Sequence, residues 1–215
     1  SRNGLYASFM PKPIMGAAGN GLHINISLAQ NGLNIFKNQD EGHSPVASSF
    51  IAGVLNRALE ISLFLNPIAN SYERLGEFEA PKYVSWSHQN RSQLIRIPSA
   101  IGERVRMELR SPDPSVNPYI AIALIMAAGL EGIEKDMPLP PPVNADLYTA
   151  GKDITSKLDS LPESLDKAIE LAEGSEFVKS VLGEEFLSKF IKAKKSEAAA
   201  FNSADDKLEF YKKRY

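Results

Sequence analysis

Arg104-Val105-Arg106-Met107-Glu108-Leu109-Arg110 alternates charged and apolar residues along its length. That pattern is a half-buried β-strand. Val105, Met107 and Leu109 face a core, while Arg106, Glu108 and Arg110 share the opposite face about 7 Å apart. Leu22, Ile24, Ile26 and Leu28 repeat the alternation, with His23, Asn25 and Ser27 on the other side. Residues 1–43, rich in Gly and Asn, and residues 68–115 both read as short strands and loops.

Two helices frame these segments. Residues 44–65 carry an N-cap serine at Ser44, Pro45 at the first helical position and an apolar stripe through Phe50, Val54, Ala58 and Ile61. Asn66-Pro67 ends that helix. Residues 118–134 form a second, with Asn117 as its cap and Pro118 next after the cap. This helix is apolar almost all round, which predicts a central buried position. Residues 136–146, with Pro138, Pro140, Pro141 and Pro142, form a stiff, extended connecting segment. Beyond it, a capping box at Ser160–Glu163 opens a helix to about Ala172. A longer helix runs from about Gly183 with Phe186, Leu187, Phe190 and Ile191 on one face. Ser203–Asp206 caps Lys207–Tyr211. The fold class is therefore α+β: antiparallel strands bearing His23, Arg96 and Glu108, covered by the helices at 44–65 and 118–134, with a helical C-terminal tail.

The 215 residues suffice for one large domain or two small ones. No cysteine is present, which excludes a disulfide framework, a thiolate metal site and a cysteine nucleophile. Lys and Arg number 24 against 26 Asp and Glu, a balance that disfavours a duplex nucleic-acid binder. The longest apolar run, Pro118–Leu130, has 13 residues and is too short to span a bilayer. The chain opens Ser-Arg-Asn-Gly, without an initiating Met or a signal-peptide pattern. Two readings fit that start: a trimmed piece, or the later part of a longer protein.

Arginine is concentrated. Six of the nine (Arg74, Arg91, Arg96, Arg104, Arg106 and Arg110) fall between residues 74 and 110, where Lys82 is the sole lysine. The guanidinium is a planar, bidentate fork suited to phosphate and carboxylate. Glu108 between two guanidiniums is either an ion-pair ladder or a metal ligand flanked by phosphate clamps. Met10–Ser27 combines Gly16, Gly19 and Gly21 with His23. The glycines allow a turn that brings backbone N–H groups to an anion, and His23 with Glu108 would suit Mg²⁺ or Mn²⁺ completed by other oxygens. Asn70–Pro81 is an acidic loop with one arginine, either plain surface or a lid that brings Glu79 over a substrate.

These segments resemble the glutamine synthetase family. Met10–Ser27 resembles its ATP-region signature of Lys-Pro, a Gly-rich turn and Gly-x-His-x-x-x-Ser. Asn70-Ser-Tyr-Glu-Arg-Leu…Glu79-Ala-Pro81 resembles its flap, and Asn90-Arg-Ser…Ile-Arg-Ile-Pro98 and Arg106–Tyr119 resemble its next two blocks. The resemblance covers residues 4–134 in family order, and the tail to Tyr215 more weakly.

The resemblance implies an ATP-dependent ligase that phosphorylates glutamate to γ-glutamyl phosphate, which ammonia then displaces. It implies His23 and Glu108 as ligands of Mg²⁺ or Mn²⁺, and Arg91, Arg96 and Arg106 on phosphates. Arg74 and Arg110 would hold carboxylates, Gly19 the amino-acid end, and Glu79 the ammonium as it closes the site. Ser27 would lie near the nucleotide. Departures from the pattern are Asn25 for a frequent second His, Ala18 for a frequent Asn, and Ile101-Gly-Glu-Arg104 in the loop after Ile-Arg-Ile-Pro, where a nucleotide-side Lys or Arg is frequent and the role falls to Arg104 or is vacant. Tyr148 falls where some members carry a regulatory, nucleotidylated tyrosine, but its flanks match poorly and a plain exposed loop tyrosine is the leading expectation.

By the same resemblance, residues 1–135 are the core of a catalytic domain entered mid-domain, without the N-terminal β-grasp domain. Residues 136–146 connect, and 147–215 are the helical end of the same domain. The implied protein is cytoplasmic and a ring-shaped homo-oligomer, with no nucleic-acid or membrane partner, and this stretch alone is expected to be inactive. The alternatives are a γ-glutamyl ligase using a larger amine and a non-catalytic structural relative.

Overall fold

The computed structural model describes residues 2–5, 7–38 and 42–212. In chain order the elements are β1 (Ile24–Ile26), β2 (Ala29–Gln30), β3 (Leu33–Asn34), α1 (Pro45–Leu65), α2 (Ala69–Tyr72), β4 (Trp86–His88), β5 (Ile95–Ile97) and β6 (Met107–Leu109). There follow α3 (Pro118–Glu134), α4 (Lys152–Thr155), α5 (Leu165–Glu173), α6 (Glu176–Leu182), α7 (Glu184–Asn202) and α8 (Lys207–Lys212).

The main sheet has the order β1-β6-β5-β4. β1 and β6 are antiparallel with Asn25 opposite Glu108, and β6 and β5 are antiparallel with Glu108 opposite Arg96. Directly opposed residues point to the same side, so Asn25, Glu108 and Arg96 make one polar row. Ile95, Ile97, Met107 and Leu109 fill the other face and join Phe50, Val54, Leu124 and Ala128 in a single apolar cluster. The strands expected to be antiparallel, those of the Asn25, Glu108 and Arg96 row, are so, and a further strand joins at the far edge in the other sense. β4 runs parallel to β5, Trp86 beside Ile95. Parallel neighbours normally need a long crossover. Here the strands are three residues long, so the loop through Gln89 to Leu94 has only about 10 Å to retrace. Gln89 adopts a left-handed φ of 60° in that reversal.

α1 begins as its sequence dictates, with the Ser44 hydroxyl accepting from the Ala47 N–H, and ends at Asn66. By length and hydropathy it could cross a membrane, but 72% of its most apolar window is buried inside the fold, which makes it a core helix. It crosses α3 at a glycine pair. A Cβ on Gly53 would lie 2.1 Å from the Ala128 carbonyl oxygen and 2.8 Å from the Gly132 backbone. Backbone cannot swing aside as a side chain can. Gly53→Ala is therefore expected to cost about 3 kcal/mol by forcing the helices apart, read as a lowered urea midpoint with an unchanged slope.

α3 is capped by Asn117 as expected, but it is not buried all round. Ala121, Leu124, Ile125 and Ala128 are buried, whereas Tyr119 is 85% and Ile122 50% exposed. Periodicity cannot separate two apolar faces when only one meets the core. The proline segment lies along the outer edge of β4: Val143 N–H donates to the Trp86 carbonyl and Trp86 Nε1 to the Pro140 carbonyl.

Two capping expectations are corrected. Ser160 pairs with Tyr83 in an isolated bridge, and α5 starts at Leu165 with Ser164 as its cap. Asp206, not Ser203, caps α8, accepting from the N–H groups of Leu208 and Glu209. Ser160 is drawn off by that tertiary bridge, and the Ser203 hydroxyl donates back to the Ala199 carbonyl of α7. α7 buries Leu187 and Ile191 as expected but leaves Phe186 40% exposed. Tyr211 on α8 packs with Phe201, Ile68 and Met10, so the tail returns to the start of the chain.

Arg57 ties α1 to α3, donating from Nε and Nη2 to Glu131 at 2.7 and 2.8 Å and from Nη1 to Glu60 at 2.8 Å. The Arg57 guanidinium holds the Glu131 carboxyl down at about 2. A depressed carboxylate pKa stabilises above its unfolded value near 4.5, and the contribution fades as pH falls toward 2. Wild-type stability should drop across that window. Arg57→Leu should be less stable at pH 7 by about 1 kcal/mol and show a flatter acid limb, because the half-buried Glu131 carboxylate then keeps only its Lys135 partner. Denaturant midpoints at pH 7, 4.5 and 3 would check this.

Candidate functional site

The polar face of the sheet gathers His23, Glu108, Arg110 and Arg96. Glu108 is the centre and is buried. Its Oε2 receives the Arg110 Nη1 at 3.0 Å and lies 2.7 Å from Arg96 Nε. Its Oε1 is 3.1 Å from His23 Nδ1. Two guanidiniums do flank this carboxylate, but the expected pair is corrected. Arg106 turns away, its Nε donating to Asn25 Oδ1 at 2.9 Å and its Nη1 to the Arg104 carbonyl. The cross-strand partner Arg96 takes its place. Directly opposite residues in adjacent strands stand closer than same-strand neighbours two apart, so the non-local pair wins.

His23 sits one residue before β1, in continued register with Arg110. Burial, reinforced by the Arg110 charge, holds its imidazole below the usual histidine range, so it is neutral at pH 7 and offers a lone pair. A neutral imidazole and a carboxylate oxygen are suitable donors for a hard divalent cation. Adjacent ligands in an octahedral shell of about 2.1 Å lie about 3 Å apart, which matches the 3.1 Å between His23 Nδ1 and Glu108 Oε1. No group of three or more such ligands occurs among the described residues. The residues present thus fit part of a metal shell. Arg96 Nε is buried and, though close to Glu108, has among the described residues no acceptor aligned with its N–H. Such a donor suits an anion arriving from the open side.

The glycine-rich segment abuts this face. A Cβ on Gly19 would meet the Pro11 carbonyl oxygen at 2.2 Å, and one on Gly21 would meet Arg74 Nη2 at 2.5 Å and His23 Nε2 at 3.2 Å. Glycine is required here by close approach. Arg74 is buried and donates to the carbonyls of Ser111 at 2.8 Å and Arg110 at 3.2 Å, so it fixes the chain leaving β6 while its guanidinium faces Gly21. Ser27, one residue past β1, is exposed on the same side as Asn25.

The loop after α2 closes over the edge of the face. Phe78 and Glu79 hold φ of 47° and 67°, consecutive left-handed conformations in residues other than glycine. Each costs on the order of 1 kcal/mol or more, and strain of this kind gathers at ligand clamps and switch segments. Arg110 Nη2 donates to the Glu79 carbonyl at 3.0 Å, and its Nε donates to the Arg91 carbonyl at 3.2 Å. The exposed side chains of Glu79 and Arg91 pair at 3.0 Å. Arg110 is therefore the hub: one buried guanidinium joins Glu108, the flap and the loop carrying Arg91.

Tyr148 is exposed in a turn, as expected, but it also makes a specific contact. Its hydroxyl donates to the Ala80 carbonyl at 3.1 Å, at the foot of the flap, and burial pushes its phenol up to about 12. Nothing in the local sequence signals this contact, because the partner lies 68 residues away. A separate cleft of about 560 Å³, between α1, β4 and the proline segment, is lined by Leu55, Trp86, Pro140 and Lys157 and shares no residue with the polar face.

Residues 1–213 match the sequence profile of the family described as glutamine synthetase, catalytic domain. A curated glutamine synthetase of Clostridium saccharobutylicum is 40% identical over 221 residues, covering 100% of this chain and 50% of its own length. One of Pyrococcus abyssi is 46% identical over 198 residues, covering 91% of this chain and 45% of that relative. The chain thus spans about half the length of the curated relatives it matches. Among solved structures, a GmaS/ADP complex superposes with a TM-score of 0.85 at 34% identity, over 99% of this chain and 50% of that one. An apo GmaS structure gives 0.83 at 35% identity.

Proposed function

We propose, for a chain that belongs to the glutamine synthetase catalytic-domain family, that it supplies the phosphoryl-transfer face of an ATP-dependent ligase joining glutamate to ammonia. The observation that carries this reading is the Glu108 carboxylate, set between Arg96 and Arg110 with His23 at 3.1 Å, beneath a flap that Arg110 itself holds.

The chemistry follows in two steps. The γ-carboxylate oxygen of glutamate attacks the terminal phosphorus of ATP, and the bond to the ADP oxygen breaks. Ammonia then attacks the acyl carbon, and phosphate leaves with the oxygen that came from glutamate. Charge accumulates on the phosphoryl oxygens in the first step and on the carbonyl oxygen in the second. Fixed donors aimed at those positions lower both barriers. Arg96, with its unaligned Nε–H, and Arg91 are proposed on the phosphates, and Arg106 at the outer edge of the same row. Arg110 and Arg74 orient the reacting carboxylate, and the Gly19 backbone meets the amino-acid end. Ser27 lies toward the nucleotide. Glu79, carried on the flap, binds ammonium, takes its proton and excludes water from the acyl phosphate.

His23 and Glu108 would hold Mg²⁺ or Mn²⁺, which when bound neutralises phosphate charge. Since these two residues make only part of a metal shell, the activity is proposed for a longer protein that contains this chain, working in the cytoplasm as a ring-shaped homo-oligomer. The likeness to the GmaS structures favours one second reading, a γ-glutamyl ligase with a larger amine. Assaying such a protein with ATP, glutamate and either ammonium or a series of alkylamines separates the two. Product formation with ammonium at the higher kcat/KM supports glutamine synthesis. Preference for an alkylamine transfers the assignment to the second reading, and ATP turnover independent of glutamate removes both.

A further inference from the structure

Lys12 is an almost fully buried lysine, 1% exposed, outside the polar face just described. Its backbone is fixed by a reciprocal clamp: Lys12 N–H donates to Asn70 Oδ1 at 2.8 Å and Asn70 Nδ2 donates to the Lys12 carbonyl at 3.0 Å. Its ammonium reaches three groups from two separate segments. It donates to the Ala17 carbonyl at 2.7 Å, two residues before Gly19. It pairs with Glu77 Oε2 at 3.6 Å and lies over the Phe78 ring, 4.6 Å from its centre.

A buried ammonium is costly unless compensated. Two of its three compensating groups belong to the flap, immediately before Glu79. The left-handed backbone lies at and around these two residues: Gly76 has φ of 90°, Phe78 47° and Glu79 67°. Between Gly76 and Ala80 the backbone hydrogen bonds among the described residues are Ala80 N–H to the Glu77 carbonyl at 2.9 Å and Gly76 N–H to the Ala80 carbonyl at 3.2 Å. A strained turn with so few internal bonds needs an external anchor. Arg110 grips it after Phe78, at the Glu79 carbonyl, and Lys12 grips it before Glu79.

We infer that Lys12 is a positioning residue that locks the flap to the glycine-rich segment and so sets where Glu79 stands when the site closes. This deepens the ligase reading and rests on it for its catalytic consequence. Contact with Ala17 makes the flap sensitive to the conformation of the glycine-rich segment, so an occupant of that segment would bias closure through Lys12.

The test uses the longer protein, with hydrogen exchange on peptides covering residues 73–82 and, in parallel, ATP hydrolysed per amide formed. Lys12→Met removes the charge while keeping an apolar stem. It should speed exchange in the flap by about tenfold with the sheet peptides unchanged, because the loop opens locally. It should also raise ATP consumed per product and the KM for the amine, with ATP turnover itself kept within severalfold. Lys12→Arg should recover part of both. Glu77→Gln, which leaves Lys12 intact, should give a smaller shift in the same direction and serves if Lys12→Met does not fold. Flap exchange equal to wild type in the folded variants, or a uniform loss of turnover at unchanged coupling, would overturn the inference. Because exchange needs no substrate, a faster flap in a protein without ligase activity would leave Lys12 as the anchor and remove the ligase reading. Active wild type with an indifferent flap would do the reverse.

Discussion

Arg110→Lys is expected to lower product formation by roughly a hundredfold or more although the charge is kept. The guanidinium works in several directions at once. Nη1 serves Glu108, Nη2 the Glu79 carbonyl and Nε the Arg91 carbonyl. An ammonium is a single donor centre with a shorter reach than the guanidinium fork, so it cannot serve all three and leaves buried acceptors unpaired. The flap would lose one anchor, and the carboxylate proposed to react would lose a bidentate partner. ATP hydrolysis and amide formation, measured separately, should both fall, since Arg110 acts on phosphorylation as well as closure. A single charge-assisted contact made only in the transition state is worth on the order of 3 kcal/mol, which sets the scale. If turnover per folded molecule is unaltered, Glu108, Arg96 and Arg110 are an ion-pair ladder with no catalytic task.

Glu108→Gln should be more damaging, about a thousandfold in kcat/KM, with a raised requirement for Mg²⁺ or Mn²⁺. The substitution keeps shape and removes the one negative charge between two guanidiniums. Arg96 and Arg110 would then repel without compensation, and breaking such a buried pair costs about 3–5 kcal/mol of stability. The two effects separate experimentally. Titrating the divalent cation reports on the ligand role, and the urea midpoint reports on the ion pair. A variant that is merely less stable, with wild-type metal dependence, would contradict the assignment of Glu108 as a ligand.

The parts of this molecule that depend on near neighbours were legible from the chain. Ser44 and Asn117 cap their helices as read, because a cap bonds within three residues. The alternation through Glu108 placed Val105, Met107 and Leu109 in the core, and His23 stands beside Glu108. What escaped is non-local. That Glu108 is flanked by two guanidiniums was readable, but the identity of the second was not. Strand alternation gives a face without a neighbour, and register chose Arg96 over Arg106. The same blindness hid the parallel direction of β4, since direction is not encoded in a three-residue pattern. α6 was missed because its seven residues, Glu176–Leu182, give too short a window for helical periodicity. Lys12 and Tyr148 look ordinary in sequence, and their meaning comes from flap atoms that only the folded chain brings to them.

The most direct test of the proposed chemistry follows an oxygen atom. Glutamate labelled with ¹⁸O in its γ-carboxylate would be converted by the longer protein with unlabelled ATP and ammonium in unlabelled water. The account predicts that each amide formed delivers one ¹⁸O into inorganic phosphate, because the oxygen attached to phosphorus in the acyl phosphate came from glutamate. Phosphate free of ¹⁸O, with ATP still consumed, would mean that water took the phosphoryl group and that no acyl phosphate forms over the Glu108 face.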